Sequence, residues 1–141
     1  MRKKELLFAK DIITIDGTEY ERSDIEKIKT SFKGTEGFSP FMPYFPSYTV
    51  IGNHKVAEFD VTSFCIEYDG QTGKIMDYIL TTPYSFGAAV ASLTRMMDTA
   101  PVIYNNGLLT SAEYRIGNDK KIAIGFMTNN PSGYNIVLMW E

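Results

Sequence analysis

His54 and Cys65 are the only residues of their kinds in this 141-residue chain, and they stand eleven positions apart. A Cys–His pair is the smallest constellation that runs nucleophilic catalysis, the imidazole drawing the proton from the thiol. The spacing permits such a pair across two adjacent strands. Cys65, however, alternates within an apolar run, the usual setting of a buried structural thiol. His54 sits in Gly52-Asn-His-Lys55, which reads as a turn. A single His and a single Cys leave no ordinary zinc donor set, so neither a metal nor a cofactor is expected. The lone Cys also forbids an intrachain disulfide and fits a reducing compartment.

Carboxylates are the next candidates. Glu58, Asp60, Glu67 and Asp69 fall on the polar positions of two neighbouring strand-like runs. Paired carboxylates hydrolyse glycosides or hold hard cations. No EF-hand spacing fixes these four, and Lys55 and Lys74 lie close by in sequence. A solvated sheet face is the plainer expectation. Arg95 and Arg115 differ in kind, each being the only basic residue of its element. A guanidinium among apolar side chains needs a partner. Asp77, Asp98 or Glu113 would make an internal salt bridge. The functional alternative is a ligand's phosphate or carboxylate, helped by backbone amides of a helix start near Thr82–Gly87. The chain holds no GxxxxGK[ST] and no GxGxxG.

The densest local signal is aromatic. Phe38, Phe41, Tyr44, Phe45 and Tyr48 share eleven residues with Pro40, Pro43 and Pro46. Proline every third residue matches the turn of a polyproline II helix, which would line rings along one edge. A stiff segment of this kind loses little entropy on docking and carries the anchors typical of interface hot spots. PxxP occurs twice, without the basic flank that SH3-type ligands bring. The competing expectation is a lid that folds back and buries its rings.

The elements that must position these residues follow from periodicity and turn chemistry. Ile12, Ile13 and Ile15 run into Asp16-Gly17, a two-residue hairpin signal, with Tyr20 on the return strand. Ser23-Asp-Ile-Glu26 has capping-box spacing. Ile25, Ile28 and Phe32 then recur at helical intervals until Gly34, predicting a helix over 23–33. Residues 47–80 read as antiparallel strands, with alternation running through 56–61 and a turn at Asp69–Gly73. A second helix is expected over 83–98, with Thr82 as cap and Pro83 at its first position. Phe86, Val90, Leu93 and Met97 line one side of it, and Gly87, Ala88, Ala89, Ala91 and Ser92 make the other small. A helix without a wide polar face is expected to be buried, in its own core or against another subunit. Asn105-Asn-Gly107, Gly117-Asn-Asp119 and Asn129–Gly133 cut the remainder into a meander ending at Tyr134–Trp140. Ile136 to Met139 is apolar on both faces and belongs in a central or covered strand. No internal repeat is visible in the sequence.

The fold class is therefore α+β, one domain over residues 1–141, with seven to nine short strands in a mainly antiparallel sheet and two helices. Composition agrees. Hydrophobic residues make up 44% and charged residues 22%, which excludes collagen-like and disordered chains. The net charge of −3 argues against a nucleic-acid backbone binder. Charge concentrates in residues 1–33, which hold eight of the 14 basic side chains. The basic N-terminus precedes an apolar run of only four residues, too short for export, so the expectation is an unprocessed cytoplasmic chain. The longest uncharged stretch, Tyr78–Thr94, contains Pro83 and suits a buried element rather than a membrane span.

Three function classes remain. The first is a non-catalytic protein that occludes or sequesters another protein through Phe38, Phe41, Tyr44, Phe45 and Tyr48. Toxin-immunity proteins and phage anti-defence inhibitors share this profile at the level of class. The second is an oligomeric binder of a small anionic or nucleotide-like ligand. There Arg95 and Arg115 grip the anion, and helix 83–98 packs between subunits. The third is a small hydrolase using the paired carboxylates.

Overall fold

The computed structural model describes residues 11–39, 45–127 and 130–140. Among the described residues, ten strands, more than the seven to nine expected, form one antiparallel sheet with two helices, which agrees with the α+β class. In chain order these are β1 (Ile12–Ile15), β2 (Thr18–Glu21), α1 (Ile25–Ser31), β3 (Thr35–Phe38), β4 (Pro46–Val56), β5 (Phe59–Tyr68) and β6 (Ile75–Thr81). Then follow α2 (Phe86–Met97), β7 (Val102–Asn105), β8 (Leu109–Ile116), β9 (Lys120–Met127) and β10 (Asn130–Trp140). The spatial order is β2-β1-β4-β5-β6-β10-β9-β8-β7, with β3 also paired to β4.

That order holds a repeat invisible in the sequence. Each half is a helix followed by four antiparallel strands: α1 with β3 to β6, and α2 with β7 to β10. The two last strands meet at the middle, antiparallel, with Leu80 opposite Ile136 and Tyr78 opposite Leu138. The halves are thus related by an approximate twofold axis through the β6–β10 seam. Only the alternation of apolar residues and the turn positions need to recur for this, not residue identities. The β1–β2 hairpin is an addition at one end.

Both helices lie on one face of the sheet. Phe64, Ile66, Tyr78, Leu80, Ile122, Ile124, Ile136 and Leu138 project from that face and are buried. Ile25 and Ile28 of α1, and Ala89, Leu93 and Met97 of α2, cover them. The Tyr114 hydroxyl ties α2 to β8, donating to the Val90 carbonyl at 3.0 Å and meeting Thr94 Oγ1 at 2.9 Å. Tyr134 does the same between β10 and the start of the helix, through the Tyr84 carbonyl and Thr82 Oγ1. As expected for a strand apolar on both sides, β10 is central. No described helix is long and apolar enough to cross a membrane.

Several local expectations are corrected. The first helix is Ile25–Ser31 rather than 23–33, and no capping box forms. Asp24 is its N-cap, and the Asp24 carboxylate instead accepts from the Glu21 amide at 2.8 Å. The second is Phe86–Met97 rather than 83–98. Ser85, not Thr82, caps it by accepting from the Ala88 amide, and Asp98 in the left-handed region ends it. This helix is not enclosed: its small-sided face, with Gly87, Ala88 and Ala91, is exposed. Alternation does not run through 56–61, because Ala57 at φ 54° turns the chain there, with Val56 opposite Phe59.

Gly34 follows α1 for a steric reason. A Cβ there would lie 2.5 Å from the Thr49 carbonyl oxygen and 2.7 Å from the Tyr48 ring. Gly34→Ala is therefore expected to destabilise the fold by about 1–3 kcal/mol, the range for overpacking. Gly87→Ala meets nothing within 4 Å and should stabilise α2 by about 0.5 kcal/mol. Urea denaturation midpoints moving in opposite directions check both.

Candidate functional site

The aromatic–proline segment is the connection between β3 and β4. Its ends are clamped: Phe38 pairs with Pro46, and the Ser39 amide donates to the Phe45 carbonyl at 2.9 Å. The base of this hairpin is held by Lys29 of α1. Its ammonium donates to Glu36 at 2.5 Å and to the Tyr68 hydroxyl at 2.7 Å, and sits 4.7 Å over the Tyr68 ring. Partial burial alone would lower the Lys29 pKa, but the Glu36 and Tyr68 contacts reverse that and raise it. The ammonium stays charged and the clamp stays closed across the physiological range.

The five predicted aromatics take different environments. Tyr48 belongs to the core at 6% exposure, its hydroxyl donating to the Phe32 carbonyl at 2.6 Å. Phe45 is half-buried. Phe38 stands in solvent at 73% exposure. Phe41 and Tyr44 lie outside the described residues. One end of the cluster is thus anchored in the core while the other end presents a ring.

Arg95 and Arg115 are not brought together. Arg95 is exposed on α2, over the helix-bearing face. Tyr114 points into that same face, so Arg115, its strand neighbour, projects from the opposite one. The alternation of β6 likewise directs Asp77 away from α2, which removes it as a partner of Arg95.

His54 and Cys65 are separated in the same way. His54 is in β4, not in a turn, just past a register shift between Ile51 and His54. Its ring packs edge-on against Phe32 and Phe64, centroids 5.2 and 5.7 Å away, on the core side. Cys65 follows Phe64 and faces the other way. Its thiol is pushed up by burial, partly relieved by hydrogen bonds with Thr49 and Ser47, and pushed further by the charges of Glu67 and Asp77. It is a protonated thiol, not a nucleophile poised by an imidazole.

His54 does have a carboxylate partner that the sequence did not reveal. Asp16, at φ 51° in the β1–β2 turn, meets His54 Nδ1 at 2.6 Å and accepts from the Lys55 amide at 2.8 Å. Burial raises the Asp16 carboxyl, and these bonds more than reverse it, leaving it below its ordinary value. The pair lines an open cleft of about 610 Å³ with Asp60, Thr62 and Pro83. No hydroxyl or thiol among the described residues hydrogen-bonds to His54, so the arrangement acts as a staple joining the hairpin to β4.

The expected solvated row of carboxylates divides. Glu58 and Asp60 are exposed near a turn, and Asp69 is a turn acceptor for the Gln71 and Thr72 amides. Glu67 is the exception, buried at 4% exposure. It lies directly opposite Asp77 of β6, itself at 3%. Burial first, then the hydrogen bond with Glu67 and its charge, push the Asp77 carboxyl up to about 8. Asp77 is therefore largely protonated at neutral pH. Glu67 Oε2 and Asp77 Oδ1 are buried without a hydrogen-bond partner. The signal in the sequence was Asp77 itself, a carboxylate inside an otherwise uncharged strand. Among the described residues, no three His, Cys, Asp or Glu side chains converge as a metal site.

No family model, curated sequence or solved structure matches this chain.

The proton on Asp77 has a measurable consequence. Its pKa is higher in the folded chain than the 3.8 of the unfolded one. The folded state therefore binds more protons, and stability falls as pH rises from about 4 to about 8, flattening beyond. Asp77→Asn, permanently neutral, is expected to remove most of that slope. Stability curves of the two chains between pH 5 and 9 should diverge in favour of the variant as pH rises.

Proposed function

We propose that this is a non-catalytic binding protein that occludes or sequesters a protein partner through the aromatic hairpin between β3 and β4. The observation carrying this reading is Phe38: a large ring at 73% exposure, on a strand end fixed by the Pro46 pairing and the Ser39–Phe45 hydrogen bond. An exposed aromatic on a rigid base loses little freedom when it docks, which is the physical requirement of a hot spot. Phe45 and the neighbouring Phe41 and Tyr44 extend the anchor set, and Tyr48 roots it in the core. The cytoplasm is the proposed setting.

The two other classes have weaker support. A joint grip on one anion by Arg95 and Arg115 meets the difficulty that they project from opposite sides of the sheet. Arg95 alone borders a shallow cleft it shares with Glu58, an acid that disfavours anions. Of the carboxylates a hydrolase would use, Glu58 and Asp60 are exposed near a turn, Asp69 is a turn acceptor, and Glu67 is almost fully buried.

A photo-reactive phenylalanine analogue at position 38 tests the reading in cells. It is expected to crosslink one discrete protein, and Phe38→Asp is expected to weaken co-purification of that same protein roughly tenfold or more. The thermal midpoint should be unchanged, because the ring buries little of itself. Undiminished binding by Phe38→Asp would sink the proposal.

A further inference from the structure

Among the described residues, the two ends of the strand order are chemically unlike. At one end β2 carries Glu19 and Glu21, both exposed. A second copy pairing there would set carboxylates against carboxylates, the usual guard on an edge strand. At the other end β7 is Val-Ile-Tyr-Asn, exposed at all four positions. No charged residue occurs from Thr99 to Ala112. Val102, Ile103 and Tyr104 are 56%, 59% and 53% exposed, and Leu108 at the hairpin tip is 71% exposed. An uncharged apolar edge is a template for another strand, and nothing on β7 repels a second β7.

The ladder sets the register. The Asn106 amide donates to the Leu109 carbonyl, which makes these two a hydrogen-bonded pair. Such pairs alternate along antiparallel strands, so Tyr104 and Val102 turn their backbone groups toward β8. Ile103 and Asn105 turn theirs outward, to the open edge. A twofold axis normal to the sheet then lets Ile103 of each copy exchange both bonds with Asn105 of the other, four in total. Tyr104 lies on the axis, facing its equivalent on the side away from the helices. The Leu108 tip of each copy reaches the Pro101–Val102 end of the other.

We propose that the protein self-associates through β7, two copies joining their sheets edge to edge around Tyr104. This rests on the edge geometry and not on the aromatic hairpin, which lies in the other half of the sheet and stays free in the pair. It also moves the expected self-association from the small-sided face of α2 to a strand. A strand pair this short buries little area, so the dimer belongs to the weak class, with Kd of roughly 1–100 μM.

Sedimentation velocity over that concentration range tests the proposal. A reversible monomer–dimer equilibrium is expected for the native chain. Ile103→Pro removes an outward amide that has no partner among the described residues, as edge strands tolerate, and should leave monomer only. Tyr104→Lys gives a second disruption should the proline variant not fold, by placing two ammonium groups on the axis. Glu21→Lys on the opposite edge should leave the dimer intact. In a Cys65→Ser background, Tyr104→Cys should oxidise to a covalent dimer, since directly opposed Cα atoms about 4.5 Å apart fall within disulfide reach. A native chain that stays monomeric throughout overturns the proposal. So does a dimer that survives both Ile103→Pro and Tyr104→Lys.

Discussion

The seam between β6 and β10 is the constraint on which the rest of the architecture depends. Leu80 and Ile136, like Tyr78 and Leu138, are all fully buried, yet the paired residues are more than fifty positions apart in the chain. Until β10 arrives, β6 is an edge with apolar side chains and unpaired amides. Until β6 is formed, β7 to β9 have no centre to join. The seam therefore joins two local meanders into one sheet through contacts that carry the largest loop-closure cost in entropy. Trp140, at the end of β10, adds a last tie. It packs near Tyr78 and takes the Arg22 guanidinium over its ring at 4.7 Å, fastening the segment ahead of α1 to the C-terminal strand.

Because both helices follow the same path relative to that seam, they cover the same face. The other face is a different environment made from the same strands. Its middle row runs Thr49, Cys65, Ile79, Val137, Ala123 and Glu113, across six strands. The next row runs Ser47, Glu67, Asp77, Met139, Lys121 and Arg115. Acids and bases in that second row are kept apart by Met139, while Lys121 bonds Glu113 at 3.2 Å. Burial, with the hydrogen bond and charge of Glu67 beside it, leaves Asp77 largely protonated at neutral pH. A buried half-satisfied pair of this kind costs stability, and the seam and core must offset it.

Much of this was legible in the sequence where the determining physics is local. Asp16-Gly17 turns the first hairpin with both residues at positive φ, as the dipeptide demands. Leu93 and Met97 lie on the inner stripe of α2 as expected, joined by Ala89 from the side expected to be small. The Asn-containing turns at 105–107 and 117–119 separate β7, β8 and β9, while β10 already begins at Asn130, inside the turn expected over 129–133. Three things failed for identifiable reasons. The Ala57 turn carries no Gly or Asn, so alternation seemed continuous. It is enforced by tertiary bonds, the Ala57 amide donating to the Thr14 carbonyl at 2.7 Å. The capping box did not form because the helix starts at Ile25 with Asp24 at the N-cap, which leaves Ser23 one position outside it. The pairing of β6 with β10, and with it the twofold repeat, depends on partners far apart in sequence, which no window of periodicity contains.

The candidate site follows the same division. That residues 38–48 are a distinctive segment could be read from composition, because aromatic and proline spacing is a local property. Which ring faces solvent could not. The decision belongs to Lys29, which reaches from α1 to Glu36 and Tyr68 and sets the plane of the β3–β4 hairpin, and to Gly34, which lets β3 lie against Tyr48. Glu36 stands opposite Tyr48 and Phe38 opposite Pro46, so Phe38 and Tyr48 lie on the same side of the hairpin, Tyr48 in the core and Phe38 at its open end. Phe38 is left outside because β3 is short, lies off the main path of the sheet, and has no neighbour on its far side among the described residues. The exposed ring is thus a consequence of where the sheet stops. The same is true of β7 at the far end, where a strand that would be an ordinary apolar interior strand in a longer sheet becomes a surface. In this fold the apolar groups available for association are those that the two half-repeats produce at their own edges, after the seam has used the best of them.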